Sequence, residues 1–173
     1  MKKTVEEIYE TYLKHPVISK DSRKITHDCI YFSLSGENFD GNKFAKDALE
    51  KGAAYAVIDD PKYQEDERYL LVEDALECLQ ELARYHRKKL NIPIIGITGS
   101  NGKTTTKELI HAVLATHYET FSTQGNYNNH IGVPISILSI SGEHEIAVIE
   151  MGANHQGEID FLSHISMPDY GMI

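Results

Sequence analysis

The sequence lacks several features that would point at once to a function class. It has no tryptophan and only two cysteines, Cys29 and Cys78, which lie far apart and outside any Cys-x-x-Cys or Cys/His spacing. Neither a disulfide framework nor a zinc site is therefore indicated, and we interpret both thiols as reduced groups in or near the core. No apolar run approaches the length that spans a bilayer.

Positive charge is also scarce. The 17 lysine and arginine residues are outnumbered by 26 aspartate and glutamate residues, which gives a formal net charge of −9. Without a general basic surface, nucleic acid is not an expected partner. The amino terminus is basic for two residues and then acidic, and it lacks the apolar segment of a signal peptide. We therefore expect a cytoplasmic protein without membrane insertion. The expected oligomeric state is a monomer.

The sequence does show hydrophobic periodicity, and the pattern of predicted strands and helices changes near residue 92. Before that point it predicts a small N-terminal α/β domain over residues 1–91, which closes at Asn91-Ile92-Pro93. The predicted helices and strands of this domain are residues 5–15, 30–34, 44–49, 54–58, 69–72 and 74–90. Thr4 and Glu7 are a candidate capping box at the start of the first helix. The last helix ends in Arg87-Lys88-Lys89, a run that we interpret as a solvated helix end.

From residue 92 to residue 173, strands and helices alternate strictly, which predicts a parallel sheet with helices on both faces. The predicted strands are 94–98, 118–122, 146–150 and one beginning near 170, and the predicted helices are 104–116, about 134–140 and 157–165. In the first of these helices we expect an inward face of Leu109, Ile110, Val113 and Leu114. The chain ends within or just before a strand, so we expect this domain to be a truncated part of a longer protein.

Residues 96–106 read Gly-Ile-Thr-Gly-Ser-Asn-Gly-Lys-Thr-Thr-Thr. The spacing departs from Gly-x-x-x-x-Gly-Lys-[Ser/Thr], because Ile97 stands where the first glycine is usual. The position between a strand and a helix still predicts a phosphate-binding loop, in which Lys103 reaches the β- and γ-phosphates and the Thr104 hydroxyl ligates magnesium. The alternative is a glycine-rich turn with an exposed lysine. The predicted nucleotide-binding residues are Gly99, Ser100, Asn101, Gly102, Lys103, Thr104 and Thr105.

An acidic residue for the metal is present as well. Glu150 follows the apolar stretch 146–149, and the carboxyl ends of parallel strands meet at the sheet edge where the loop emerges. Thr104 and Glu150 are thus the predicted magnesium ligands. The alternative is an ordinary acidic residue at a strand end.

Two polar loops follow predicted strands at the same edge. One carries Asn126, Asn128 and Asn129, whose amides are candidates for holding a phosphate or carboxylate, although asparagine is equally typical of a plain turn. The other carries His155, which is a candidate substrate contact or proton carrier and alternatively a cap or surface residue.

The loop over residues 96–104, Gly-x-x-Gly-x-x-Gly-Lys-Thr, resembles that of the Mur ligases and their folylpolyglutamate synthetase relatives. Residues 124–134 and 149–159 are most similar to the members that add D-alanyl-D-alanine to UDP-N-acetylmuramoyl-tripeptide. The N-terminal region is similar to the uridine-nucleotide-binding domain of the tripeptide and pentapeptide ligases. The residues that carry this last similarity are Asp21-Ser22-Arg23, residues 30–36, Asp40-Gly41 and Phe44.

The resemblance implies an ATP- and Mg²⁺-dependent ligase of peptidoglycan precursor synthesis. Such an enzyme converts a carboxylate into an acyl phosphate, which an amine then attacks, and it needs charge neutralisation more than a covalent nucleophile. Lys103 would be the catalytic residue that stabilises the transferring phosphoryl group. The implied substrate-binding residues are Ser22 and Arg23 near the uridine diphosphate, and Asn126, Asn128, Asn129 and His155 facing the substrate.

The implied small-molecule substrates are UDP-N-acetylmuramoyl-tripeptide, with diaminopimelate or lysine as third residue, and D-alanyl-D-alanine. The family's second-magnesium histidine, carbamylated lysine and C-terminal domain lie beyond the equivalent of Ile173. We therefore expect the parent protein to be a ligase and these 173 residues alone to be inactive or at most to bind nucleotide weakly. A P-loop kinase or nucleoside triphosphatase, and a non-enzymatic nucleotide-binding module, stay open as alternatives.

Overall fold

A computed structural model describes residues 2–173. The chain divides into two compact units, one running to Leu82 and the other comprising Ala83–Ile173. This division falls inside a helix, somewhat before the boundary that the sequence indicates at residues 91 and 92. Among the described residues, no helix combines the length and the apolar character needed to cross a membrane.

The first unit is built on a four-stranded parallel sheet with the strand order β1-β2-β3-β4. Helix α1 begins with the predicted capping box, in which the Glu7 N–H donates to the Thr4 hydroxyl and the Glu7 carboxylate accepts from the Thr4 N–H. A 3₁₀ turn, Gly41–Phe44, leads into α2, and a second one follows β3. The elements are α1 (Val5–Lys14), β1 (Ile18–Ser19), β2 (Ile30–Phe32), α2 (Ala45–Glu50), β3 (Tyr55–Ile58) and β4 (Tyr69–Leu71).

Strand β1 of the first unit was not predicted from the sequence. It has two residues, Ile18 and Ser19, which pair with Ile30 and Tyr31 of β2. Two residues are too few to show an alternating pattern, so this strand forms because β2 offers it an edge. Both cysteines are buried and free, and burial raises the pKa of the Cys78 thiol to about 12, as expected for core groups.

Helix α3 (Ala75–Arg87) joins the two units, and the second unit continues with a four-stranded parallel sheet of order β6-β7-β5-β8. Helix α4 packs on β6 and β7, whereas α5 and α6 pack on each other and on β7 and β5 respectively. The predicted α/β class with parallel sheets is thus confirmed. The elements are β5 (Ile94–Ile97), α4 (Lys103–Leu114), β6 (Thr120–Ser122), α5 (Gly132–Leu138), β7 (Ile146–Glu150), α6 (Glu158–Ser166) and β8 (Tyr170–Met172).

The predicted inward face of α4 is wrong in two of its four residues. Leu109 and Val113 are 64% and 70% exposed, whereas Ile110 and Leu114 are partly buried as expected. The loop after β5 fixes the rotation of this helix, because the ammonium of Lys103, at the first helical position, donates to the Gly99 oxygen of that loop. Residues four and seven positions later share that face, and one of them is Lys107, which is buried.

The interpretation of Arg87 as part of a solvated helix end is also wrong. Its side chain is 10% exposed and forms an ion pair with Asp169 at 2.9 Å. It also donates to the main-chain oxygens of Ser166 and Met167. Asp169 in turn accepts from the Ile94 N–H at 2.8 Å. Arg87 therefore links α3 to the segment before β8 and, through Asp169, to the start of β5.

Replacing Arg87 with methionine is expected to lower the free energy of unfolding of the second unit by about 3 kcal/mol, since buried oxygens lose their donors. Urea denaturation and hydrogen exchange of the β5 and β8 amides would measure the change. Lys88→Met, at the exposed neighbouring position, is the matched control and should shift stability by less than about 0.5 kcal/mol. Equal stabilities of the two variants would contradict this assignment.

Candidate functional site

The candidate site lies at the carboxyl edge of the second sheet. Strands β5 and β7 pair in parallel with Ile97 opposite Glu150, and the Met151 N–H donates to the Ile97 oxygen at 2.8 Å. The loops that follow β5, β6 and β7 all emerge at this edge. The sequence predicts most of its site residues in these three loops.

The loop after β5 has the backbone geometry of an anion-binding turn. Gly99 and Gly102 have φ angles of +140° and +78°, which side-chain-bearing residues rarely adopt. Within the described residues, no side chain caps the start of α4, so its first N–H groups are left for a ligand. The Lys103 ammonium donates to the Gly99 oxygen at 2.7 Å and so folds over the loop. The exposed members of the predicted set are Ser100, Asn101, Gly102, Thr104 and Thr105.

Glu150 lies at the end of β7 and is 2% exposed. One carboxylate oxygen, Oε1, accepts from the Asn128 amide at 2.8 Å. The other, Oε2, is buried and has no hydrogen-bond partner in the part of the chain that the structure describes. A buried carboxylate oxygen without a donor is costly, and a cation at that oxygen would remove the cost. The side chain therefore fits the magnesium ligand predicted from the sequence.

Magnesium typically takes one or two protein ligands and completes its shell with phosphate oxygens and water. Thr104 and Glu150 are a set of that kind. Over residues 2–173 the structure forms no group of three or more histidine, cysteine, aspartate or glutamate side chains suited to a metal. The chemistry of the donor set thus fits a metal that arrives together with a nucleotide.

The three predicted asparagines have different surroundings. Asn128 contacts Glu150, as described above. The Asn129 side-chain oxygen accepts from the N–H groups of Ile131 and Gly132 at 3.1 and 2.8 Å, which is a local cap at the start of α5. Asn126 is exposed, and its main-chain oxygen accepts from the Asn128 N–H. The structure therefore brings one of the three to the predicted metal ligand.

His155 is exposed and lies at the entrance to α6. Its N–H and that of Asn154 donate to the Glu158 carboxylate at 3.0 and 2.6 Å, and these bonds hold the pKa of Glu158 below its usual value. A cavity of about 160 Å³ lies here. Its polar lining residues are Asn129, His130, Asn154, His155 and Glu158.

Ser22 and Arg23 belong to the first unit and follow β1 at the carboxyl edge of that sheet. Ser22 is buried, and its main-chain oxygen accepts from the Lys51 ammonium at 2.9 Å. The Arg23 side chain is 85% exposed and pairs with Asp21 at 2.8 Å. The Arg23 guanidinium and main-chain N–H hold the pKa of the Asp21 carboxyl well below its usual range.

Two residues next to the site were missed by the sequence analysis. Lys107 donates to the main-chain oxygen of Thr123, and the Thr123 hydroxyl accepts from the Glu150 N–H at 3.0 Å. The signal for Lys107 was available, because it stands four residues after Lys103 and hence on the same helix face. Thr123 follows β6 and gave no signal of its own.

Comparison with known proteins gives two family matches. Residues 16–87 match the model described as "Mur ligase family, catalytic domain", and residues 97–173 match "Mur ligase middle domain". The UDP-N-acetylmuramoyl-tripeptide–D-alanyl-D-alanine ligase of Bacillus subtilis (strain 168) is 45% identical over 167 residues, which cover 95% of this chain and 36% of that protein. The ligase of the same name from Escherichia coli (strain K12) is 38% identical over 90% of this chain and 34% of its own length.

Solved structures agree with these matches. A MurF structure from Acinetobacter baumannii superposes with a TM-score of 0.81 at 38% identity, over 89% of this chain and 34% of that chain. The MurF ligase of Thermotoga maritima in complex with ADP superposes with a TM-score of 0.79 at 34% identity, over 91% of this chain and 36% of that chain. The chain thus spans about a third of the length of its relatives. On both family matches and on this likeness, the chain belongs to the Mur ligase family and carries its N-terminal and middle-domain segments.

Proposed function

We propose that this chain supplies the nucleotide- and UDP-substrate-binding parts of an ATP-dependent ligase that joins D-alanyl-D-alanine to UDP-N-acetylmuramoyl-tripeptide. The names of the relatives describe that reaction, and one similar structure is a complex with ADP. A cytoplasmic location and a monomeric state belong to the same proposal, as does ATP rather than another nucleotide.

The observation that carries the proposal is the unpartnered Oε2 of Glu150. It is buried at the end of the strand that pairs with β5, one register position from the loop that holds Lys103. A buried carboxylate oxygen in that place has no structural reason to lack a partner. Its position beside a phosphate-binding loop is the one that a nucleotide-bound cation requires.

In acyl phosphate formation, the basic residue would bind the phosphoryl group and the oxygen-bearing residues would bind the metal. Lys103, released from the Gly99 oxygen, would bind the transferring phosphoryl group and stabilise the charge that develops on it. Thr104 and Glu150 would hold Mg²⁺, which when bound neutralises phosphate charge. Asn128 already orients the Glu150 carboxylate through its amide. No covalent nucleophile is needed, because a carboxylate oxygen of the substrate would attack the γ-phosphorus while the bond from that phosphorus to the β-phosphate oxygen breaks and ADP leaves.

The substrate-side assignments follow from position. Asn126, Asn129 and His155 lie in the loops after β6 and β7, so we assign them to the peptide-bearing substrate, and the cavity next to His155 gives that substrate a polar surface. Ser22 and Arg23 are assigned to the uridine diphosphate. A P-loop kinase or nucleoside triphosphatase would share the loop and Glu150 but would not use Arg23, which separates the two alternatives experimentally.

Glu150→Gln is expected to abolish the gain in nucleotide affinity that Mg²⁺ gives, because the amide keeps the shape of the carboxylate and loses its charge. Titration of a fluorescent ATP analogue into the 173-residue chain, with Mg²⁺ and with EDTA, measures that gain. Glu143→Gln removes an exposed carboxylate of the same unit and should leave the gain unchanged. An undiminished gain in Glu150→Gln would refute the metal assignment.

Arg23→Ala is expected to weaken binding of UDP-N-acetylmuramoyl-tripeptide by about 10- to 100-fold, which corresponds to one lost charge-assisted bond to phosphate. Isothermal titration calorimetry would measure the affinity. Arg68→Ala is a closely matched control, since Arg68 pairs with Asp66 two residues earlier but precedes β4 at the opposite sheet edge. Equal losses in both variants would argue against a diphosphate site at Arg23.

The isolated 173-residue chain is expected to release no phosphate in response to D-alanyl-D-alanine. The chain covers about a third of the length of its relatives, and we infer that the rest of their length supplies the remainder of the catalytic machinery. A coupled phosphate assay with ATP, Mg²⁺, both substrates and the chain would check this. Robust phosphate release would show that the 173-residue chain is sufficient for catalysis and that this expectation is wrong.

A further inference from the structure

Lys107 is a cation in a place where burial disfavours charge. Its side chain is 1% exposed and its ammonium forms an ion pair with Glu108 at 2.9 Å. Because the Glu108 side chain is 60% exposed, that pair is open to water and contributes little. An apolar side chain of similar volume would often be at least as stable at such a position. Core stability alone therefore does not account for a lysine here.

The other partner of Lys107 connects it to the candidate site. The ammonium donates to the main-chain oxygen of Thr123, a fully buried residue directly after β6. The Thr123 N–H donates to the Val148 oxygen at 3.0 Å, and its hydroxyl accepts from the Glu150 N–H at 3.0 Å. Thr123 thus contacts the end of the β7 backbone at two points, Val148 and Glu150, and Lys107 in turn contacts Thr123.

This chain of contacts ends on the main-chain N–H of Glu150, the residue that carries the unpartnered carboxylate oxygen. Glu150 is held through its N–H by Thr123 and through Oε1 by Asn128, which leaves Oε2 as its free oxygen. We refer to Lys107 and Thr123, joined by the bond from the Lys107 ammonium to the Thr123 main-chain oxygen, as the Lys107–Thr123 strut. It begins on α4, the helix that also carries the two loop residues Lys103 and Thr104.

We propose that the Lys107–Thr123 strut is a positioning device that fixes Glu150 relative to Thr104 and so sets how strongly Mg²⁺ enhances nucleotide binding. The inference rests on the proposed nucleotide site and adds to it two residues that touch neither nucleotide nor metal. Fixed outer partners of metal ligands commonly determine metal affinity in this way, because they remove the freedom of the ligand to turn away.

The test compares nucleotide affinity in Mg²⁺ with affinity in EDTA for each variant, using a fluorescent ATP analogue. Lys107→Met and Thr123→Val are each expected to lower the ratio of the two affinities about tenfold, while the affinity in EDTA stays unchanged because the loop and Lys103 are intact. The double variant should lose no more than the larger single loss, since the two residues act in series.

Two further variants distinguish positioning from a general loss of packing. Lys107→Arg keeps a cationic donor toward the Thr123 oxygen and should restore part of the ratio. Glu108→Gln removes the other partner of Lys107 and should leave the ratio at its original value. Circular dichroism would verify folding, and if Lys107→Met does not fold, Thr123→Val, which preserves shape, decides the question.

A wild-type ratio in both folded Lys107→Met and Thr123→Val would overturn the strut while leaving the proposed nucleotide site intact. A loss of affinity that is equal in Mg²⁺ and in EDTA would overturn it too, because that pattern indicates a damaged loop. If the unaltered chain shows no enhancement by Mg²⁺, the proposed function fails at its metal site and the inference fails with it.

Discussion

The parallel pairing of β5 with β7 is the constraint on which the candidate site depends. With Ile97 opposite Glu150, the loop after β5 and the Glu150 side chain lie at one edge of the sheet. A slip by one residue would turn the Glu150 side chain to the other face. The position of the site therefore depends on strand register rather than on contacts between its own side chains. The apolar residues of both strands fix that register.

The features that the sequence predicted correctly are those with local signals. Short apolar runs followed by glycine-rich turns gave β5, β7 and the loop between β5 and α4. Thr4 and Glu7 gave the start of α1, because a capping box needs only residues three apart. The edge position of Glu150 followed from topology, since all connections in a β-α alternation return each strand in the same direction.

The features that could not be predicted are those decided by distant partners. Arg87 appeared solvated in a run of three basic residues, and its burial comes from main-chain oxygens about 80 positions later in the chain. The face of α4 was misassigned because hydrophobicity favoured Leu109 and Val113, whereas the loop at its amino end fixes the rotation. The contact between Asn128 and Glu150 likewise joins the loop after β6 to the end of β7, and no periodicity relates the two segments.

Two buried cations of the second unit illustrate how position separates a structural role from a positioning role. Arg87 binds main-chain oxygens and Asp169 at the amino edge of the sheet, and its several bonds suffice to explain its burial. Lys107 binds one buried oxygen and one exposed carboxylate, which compensates its desolvation less completely. Lys107 lies near the carboxyl edge of the sheet, so the fixed position that it gives to Glu150 through Thr123 can favour binding of a ligand there. We therefore interpret Arg87 as part of the fold and Lys107 as part of the site.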